Sequence, residues 1–134
     1  MQFKRRTMFT ALAAAPLLLQ ETAKAQAPAP AKEAAPLYGL IGKFKAAAGK
    51  RDELAQILLV ATQAMPGCLS YIVANDPKDP DSLWITEVWD SPASHKASLG
   101  LPAVKEALLK GRPLIAGIGE RFETVPLGGF GLAR

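Results

Sequence analysis

Seven residues, Asp76-Pro77-Lys78-Asp79-Pro80-Asp81-Ser82, constrain the fold of this chain more than any other segment. Proline cannot donate to a sheet ladder, and Asp side chains bond readily to nearby backbone N–H groups, so this run reads as a hairpin loop. It joins two strands, Cys68 to Asn75 and Leu83 to Trp89, as antiparallel neighbours. A calcium loop is disfavoured, because Lys78 and Pro80 stand where side-chain oxygens would be needed. In the strand after the loop, Leu83, Ile85, Glu87 and Trp89 share one face, while Trp84, Thr86 and Val88 share the other. Both faces are largely apolar. A sheet covered by helices on one side and by a partner's sheet on the other has this pattern.

The remaining punctuation completes a map. Tyr38 to Lys45 alternates and is bounded by Gly49, which predicts a first strand. From Arg51 to Met65, Leu54, Ile57, Leu58, Ala61 and Met65 recur at the spacing of a buried helical stripe, and Pro66-Gly67 stops it. Ser91-Pro92 opens a helix: the hydroxyl can cap orphan N–H groups, and Pro takes the first helical position, where no donor is missed. That helix runs to Leu99, Gly100-Leu101-Pro102 restarts a second segment through Lys110, and Gly111 with Pro113 forms the stop. Glu120 to Pro126 is expected to be the last strand. The order is β-α-β-β-α-β, an α+β ferredoxin-like arrangement with its helices on one face of an antiparallel sheet.

The N-terminus reads differently. Lys4-Arg5-Arg6 and the apolar run from Met8 to Leu19 have the form of an export signal, too short for a membrane span of roughly 20 residues. Arg5-Arg6-Thr7-Met8-Phe9 fits a twin-arginine start, with a plain secretory signal as the alternative. Ala23-Lys24-Ala25 supplies a small-x-small cleavage site, so residues 1–25 are expected to be removed and the mature protein to be periplasmic or secreted, with no stable membrane anchor. Their loss removes four basic residues and one acidic one, which takes the formal charge from +4 to +1. No basic stretch interleaved with aromatics is left, and nucleic acid is not an expected partner. Residues 26–36, almost all Ala and Pro, form a tether. Residues 37–127 make one domain, and the Gly-rich residues 128–134 a flexible tail.

The chain contains one Cys and one His. An intrachain disulfide is therefore impossible, and these two residues alone cannot form a zinc site. No Gly-rich phosphate loop lies between a strand and a helix. Cys68 opens a strand with no base beside it in sequence, which favours packing over nucleophilic catalysis. A small exported domain without disulfides commonly gains burial by dimerising.

Pro66-Gly67-Cys68-Leu69-Ser70-Tyr71, Glu87-Val88-Trp89-Asp90-Ser91, His95, Ser98-Leu99 and Leu101-Pro102-Ala103-Val104 together resemble the antibiotic biosynthesis monooxygenase family, also called quinol monooxygenase-like proteins. The resemblance covers about Leu37 to Val125. It implies a homodimer of ferredoxin-like protomers forming an α+β barrel, with a pocket in each protomer between sheet and helices. Some relatives oxygenate quinols or polyketide phenols with neither metal nor flavin, and others degrade haem. Many relatives carry a His where this chain has Ser98.

On that resemblance the expected activity is oxidation of quinol-like or polycyclic phenols by molecular oxygen, with no cofactor and no metal. Such chemistry needs a base, an aromatic wall and a dry cavity, because the phenolate itself gives the electron to oxygen. The candidate catalytic residues are His95, Glu87 and Trp89, and Tyr71, Asn75 and Trp89 are the candidate substrate contacts. Tyr71, Glu87 and Trp89 are expected to face the helix-side cavity. His95 is placed in the first turn of its helix, where the positive end of the dipole favours an imidazole able to accept a proton. Blander roles stay open: a strand carboxylate paired with Lys or Arg for Glu87, packing for Trp89 and Trp84, core for Tyr71, and an idle surface position for His95. The alternative function is a non-catalytic dimeric binding protein for a small aromatic or haem.

Overall fold

Alternating apolar residues organise a four-stranded antiparallel sheet. In the computed structural model, which describes residues 34–132, β1 is Tyr38–Ala46, α1 Arg51–Ala61, β2 Cys68–Asn75, β3 Ser82–Trp89, α2 Pro92–Ser98, α3 Pro102–Gly111 and β4 Ile115–Thr124. The expected export signal, most of the tether and the last two residues of the tail lie outside the described residues. No described helix is long and apolar enough to cross a membrane. Strand order is β2-β3-β1-β4, the ferredoxin-like order expected from the sequence.

One face of the sheet carries the core. Leu83 and Ile85 on β3 meet Ala46 on β1 and Leu54 on α1, with Phe44, Leu58, Tyr71 and Val73 packed around them. Leu54 is 1 % exposed and Leu83 fully buried. Burying a side chain of that kind contributes roughly 1.5–3 kcal/mol. Across the sheet, Ile72, Thr86, Ile41 and Phe122 stand in register on β2, β3, β1 and β4. That row belongs to the face without helices.

Two element ends differ from the sequence reading by more than two residues. Helix α1 stops at Ala61 rather than Met65: Thr62 makes the last helical bonds, its N–H and its hydroxyl both donating to Leu58 O at 3.2 and 2.7 Å, but its own backbone leaves helical values at φ −102° and ψ 13°. Pro66 also disfavours helical backbone at the residue before it. Met65 is buried all the same. Strand β4 begins at Ile115 instead of Glu120, and its small residues Ala116, Gly117 and Gly119 carry no alternation to read. Its pairing with β1 slips between Gly42 and Phe44 and again between Lys45 and Ala46.

The hairpin loop is held by two carboxylates. Asp76 takes Lys43 Nζ at 2.7 Å, Lys78 N–H at 2.8 Å and Trp84 Nε1–H at 3.1 Å. Asp79 takes Lys45 Nζ at 2.6 Å, the Ser82 hydroxyl at 2.7 Å and Asp81 N–H at 3.0 Å. The Lys43 bond first, then the Lys78 N–H, holds the Asp76 carboxyl below its ordinary value. Lys45, then Ser82, does the same for Asp79. A carboxyl lowered in the folded state stabilises above its unfolded value and loses that contribution as pH falls through its folded value. Urea unfolding should therefore show stability declining once pH drops below about 4. A variant with both Asp76→Asn and Asp79→Asn should be less stable near neutrality and show a flatter acid limb. An unchanged acid limb would remove these two groups as its cause.

Candidate functional site

The register of the sheet assembles the site. Tyr71, Glu87 and Leu40 are directly opposed across β2, β3 and β1, and the next row in the same face holds Cys68, Trp89 and Tyr38. Glu87 and Trp89 are two apart on β3, so their side chains rise on the same side. Trp89 Nε1–H donates to Glu87 Oε2 at 2.8 Å. Trp89 is 1 % exposed, which makes it both core and site wall.

Helix α2 delivers His95. Ser91 caps it as expected, its hydroxyl accepting from Ser94 N–H at 3.1 Å, and Pro92 follows at the first helical position. His95 N–H already bonds Ser91 O at 3.4 Å. It is therefore not among the orphan donors of the helix end, and the dipole argument made for a first-turn position does not carry over to this seven-residue helix. What positions the imidazole is packing. Its ring meets Trp89 edge-on at 5.4 Å and Tyr38 at 5.6 Å. Nε2 lies 3.8 Å from Glu87 Oε2, longer than a hydrogen bond. The Ser98 hydroxyl donates to His95 O at 2.6 Å, so this residue braces the helix backbone.

Tyr71, Glu87, Trp89 and His95 line one cavity of about 270 Å³ between sheet and helices. Small-molecule sites run from roughly 300 to 1,000 Å³, so this is a compact one. Leu58 and Ala61 of α1 and Val104 of α3 supply much of its apolar wall. Among the described residues no Lys or Arg reaches the Glu87 carboxylate; Trp89 Nε1 at 2.8 Å and His95 Nε2 at 3.8 Å are beside it, and Tyr71 stands opposite it across the sheet. Burial, with a smaller contribution from the Glu87 charge, pushes the Tyr71 phenol well above its ordinary value, so Tyr71 keeps its proton and is not a base, while its hydroxyl can donate a hydrogen bond. Burial likewise raises the Cys68 thiol, whose Sγ is 3.5 Å from Ser70 O. A thiol of that kind is a poor nucleophile.

Asn75 is not brought to the cavity. It is exposed at the far end of β2, opposite Leu83. Three residues not singled out in the sequence do border the site: Tyr38 stacks on His95, and Gly42 and Arg121 line the cavity on β1 and β4. Gly42 had a readable signal, a glycine in the middle of a strand pattern. Arg121 had none, because its place in the expected last strand does not say which β1 residue it pairs with. A wider groove of about 510 Å³ runs from Thr62 to Tyr71 but contains neither Glu87 nor His95. Among the described residues no three His, Cys, Asp or Glu side chains converge as a metal-binding group.

The fold and this pocket define a ferredoxin-like domain with a partly open, mostly apolar site on its helix side. The chain belongs to the antibiotic biosynthesis monooxygenase family, whose model matches residues 37–108. A protein of known structure from Chloroflexus aurantiacus, assigned to the same family, is 63 % identical, covers 72 % of this chain and 99 % of its own, and superposes with a TM-score of 0.71. Another so assigned, from Deinococcus radiodurans, is 27 % identical over 69 % of this chain and 95 % of its own, at a TM-score of 0.58. A protein from Pseudomonas aeruginosa, 19 % identical with a TM-score of 0.63 over 71 % of this chain and 98 % of its own, shares the fold. No curated protein matches the chain.

The entry to α2 depends on Gly67. It sits at φ +82°, a Cβ there would meet the Ser94 side chain and Asp90 Oδ1, and its carbonyl accepts Asp90 N–H at 2.9 Å. Gly67→Ala should cost about 1–3 kcal/mol through left-handed strain alone. Urea unfolding measures the loss, and the near-ultraviolet dichroism of Trp89 should change as His95 is displaced from its ring. Wild-type stability in this variant would show that the turn adapts freely.

Proposed function

We propose that this protein is an exported, cofactor-independent monooxygenase of small phenolic or quinol-like aromatics. The observation that carries the reading is the Glu87 carboxylate, fixed by the Trp89 N–H at 2.8 Å inside an apolar cavity that also holds His95. Family membership supports the monooxygenase class, and the cavity chemistry supports the substrate class. Flat aromatic walls favour a planar ligand, and Tyr71 supplies one donor for a ligand oxygen.

Proton removal is the protein's main chemical task. The phenolic proton passes to Glu87 or His95, which stand 3.8 Å apart at the same end of the cavity. The phenolate then gives one electron to molecular oxygen, and the resulting superoxide combines with the ring radical at a ring carbon bearing hydrogen. Loss of water from that hydroperoxide takes one oxygen atom away and leaves the other as a quinone carbonyl. A naphthol plus one molecule of oxygen thus gives a naphthoquinone plus water, with no external reductant. Excluding bulk water favours the step, because the reacting anion is held by fixed groups that do not reorganise.

Two features support assembly and location. On the helix-free face Ile72 is 54 % and Phe122 53 % exposed, on the same cross-strand row as Ile41. A second copy covering this row would complete an α+β barrel dimer. The pattern from Arg5 to Phe9 supports twin-arginine export.

The mature chain, residues 26–134, should consume oxygen saturably with quinols or naphthols above the autoxidation blank. Glu87→Gln and His95→Ala should each lower kcat, and whichever residue is the base should lower it by about 10² or more. No uptake with any quinol, catechol or naphthol would refute the oxygenase reading, and ligand-induced thermal stabilisation would then identify a binding protein for a small aromatic or haem. In sedimentation velocity the wild type should run as a dimer and Phe122→Glu as a monomer. A monomeric wild type would refute the barrel.

A further inference from the structure

Gly42 occupies the centre of β1, between Leu40 and Phe44 on the helix-side face. Glycine in a strand interior packs nothing and marks either strain or the close approach of another group. Its φ lies outside the left-handed range, and a Cβ added to it would meet nothing within 4 Å; the register shift between Gly42 and Phe44 is a place where a strand accepts glycine, and it leaves the space above Gly42 open. Gly39, in the same strand, is the contrast, since a Cβ there would collide with Thr124 and Pro126. The space above Gly42 is therefore open floor, and it belongs to the cavity that holds Glu87.

Register places Arg121 beside that floor. Ile85, Gly42 and Arg121 are directly opposed across β3, β1 and β4, so they share the helix-side face, and all three line the cavity. Arg121 Nη2 forms a long, exposed ion pair with Glu123 Oε1 at 3.9 Å, an oxygen that also accepts the Tyr38 hydroxyl at 3.0 Å, so a ligand carboxylate would compete with Glu123 for its guanidinium. The Arg121 side chain is 58 % exposed, which puts its charge at the rim. Glu87 and Arg121 thus mark two ends of one apolar floor. Their strands are two spacings apart and their rows two residues apart, which sets their Cα atoms roughly 12 Å apart across the sheet, on the scale of two fused rings with a polar substituent and its hydrogen bond at each end.

We propose that the gap above Gly42 is the subsite for the second ring of a planar bicyclic ligand whose carboxylate is held at the rim by Arg121. The reading rests on the proposed function only in placing the phenolic end at Glu87. Arg suits this task because its fork matches a carboxylate, whereas the apolar floor accepts the ring without regard to charge.

Anaerobic titration by calorimetry tests the subsite without turnover, so a failure of oxygen uptake in the electrode leaves the binding result intact. The probes are 6-hydroxy-2-naphthoic acid and 2-naphthol. Wild type should bind the acid about tenfold more tightly, the scale of one charge-assisted bond. Arg121→Gln should erase that preference and leave 2-naphthol affinity unchanged. Gly42→Val should keep or raise the melting temperature, since the side chain enters open space and valine favours strands, while weakening both probes by about tenfold or more. Absence of binding to wild type, wild-type affinities in Gly42→Val, or a preference that survives Arg121→Gln would each overturn the proposal.

Discussion

The hydrogen bond from Trp89 Nε1 to Glu87 joins the core to the site. Trp89 is 1 % exposed and closes one end of the helix-side core. Its N–H must find a partner once it leaves water, since an unpaired buried donor costs about 1–3 kcal/mol. Glu87 supplies it at 2.8 Å, and the carboxylate is thereby fixed in a face that is otherwise apolar. His95 then packs edge-on against the same indole. Bulk, hydrogen bond and aromatic contact all converge on one side chain, so the carboxylate and the imidazole inherit the rigidity of the strand.

That rigidity extends to both ends of β3. Its start is anchored by the hairpin loop, where Asp76 and Asp79 draw in lysines from β1. Its end passes directly into α2 through Asp90, held by Gly67 O, and the Ser91 cap. The strand therefore cannot slide relative to β1 without breaking ion pairs at one end and a cap at the other. A one-residue slip would also turn Glu87 and Trp89 to the helix-free face. Precision at the cavity thus follows from features that lie outside it.

Much of this was legible in the chain. The alternation Leu83, Ile85, Glu87, Trp89 gave the inward face because a period of two survives any tertiary context. The two-proline loop gave the hairpin, and Ser91-Pro92 gave the start of α2, because each rests on local backbone chemistry. What failed was less local. Helix α1 ended early because the backbone leaves helical values at Thr62, ahead of Pro66, a choice the apolar spacing through Met65 does not reveal. Strand β4 was started late because its glycines and alanine carry no period. Asn75 was grouped with Tyr71 by alternation, which fixes a face but not how far along the strand the cavity reaches.

The same limit explains why the cavity floor escaped the sequence reading. Aromatic and charged residues announce themselves by what they could do, whereas Gly42 acts through a side chain that is missing. Its significance appears only when the three positions of its row are seen together. Ile85 supplies bulk, Gly42 supplies room and Arg121 supplies charge, on three strands that are far apart in the chain. On the proposed reading, the candidate bases Glu87 and His95 sit on β3 and α2, and the residues that would decide what may lie over them sit on β1 and β4. Substitutions at Gly42 and Arg121 would then change ligand preference and leave the Glu87–Trp89 pair intact.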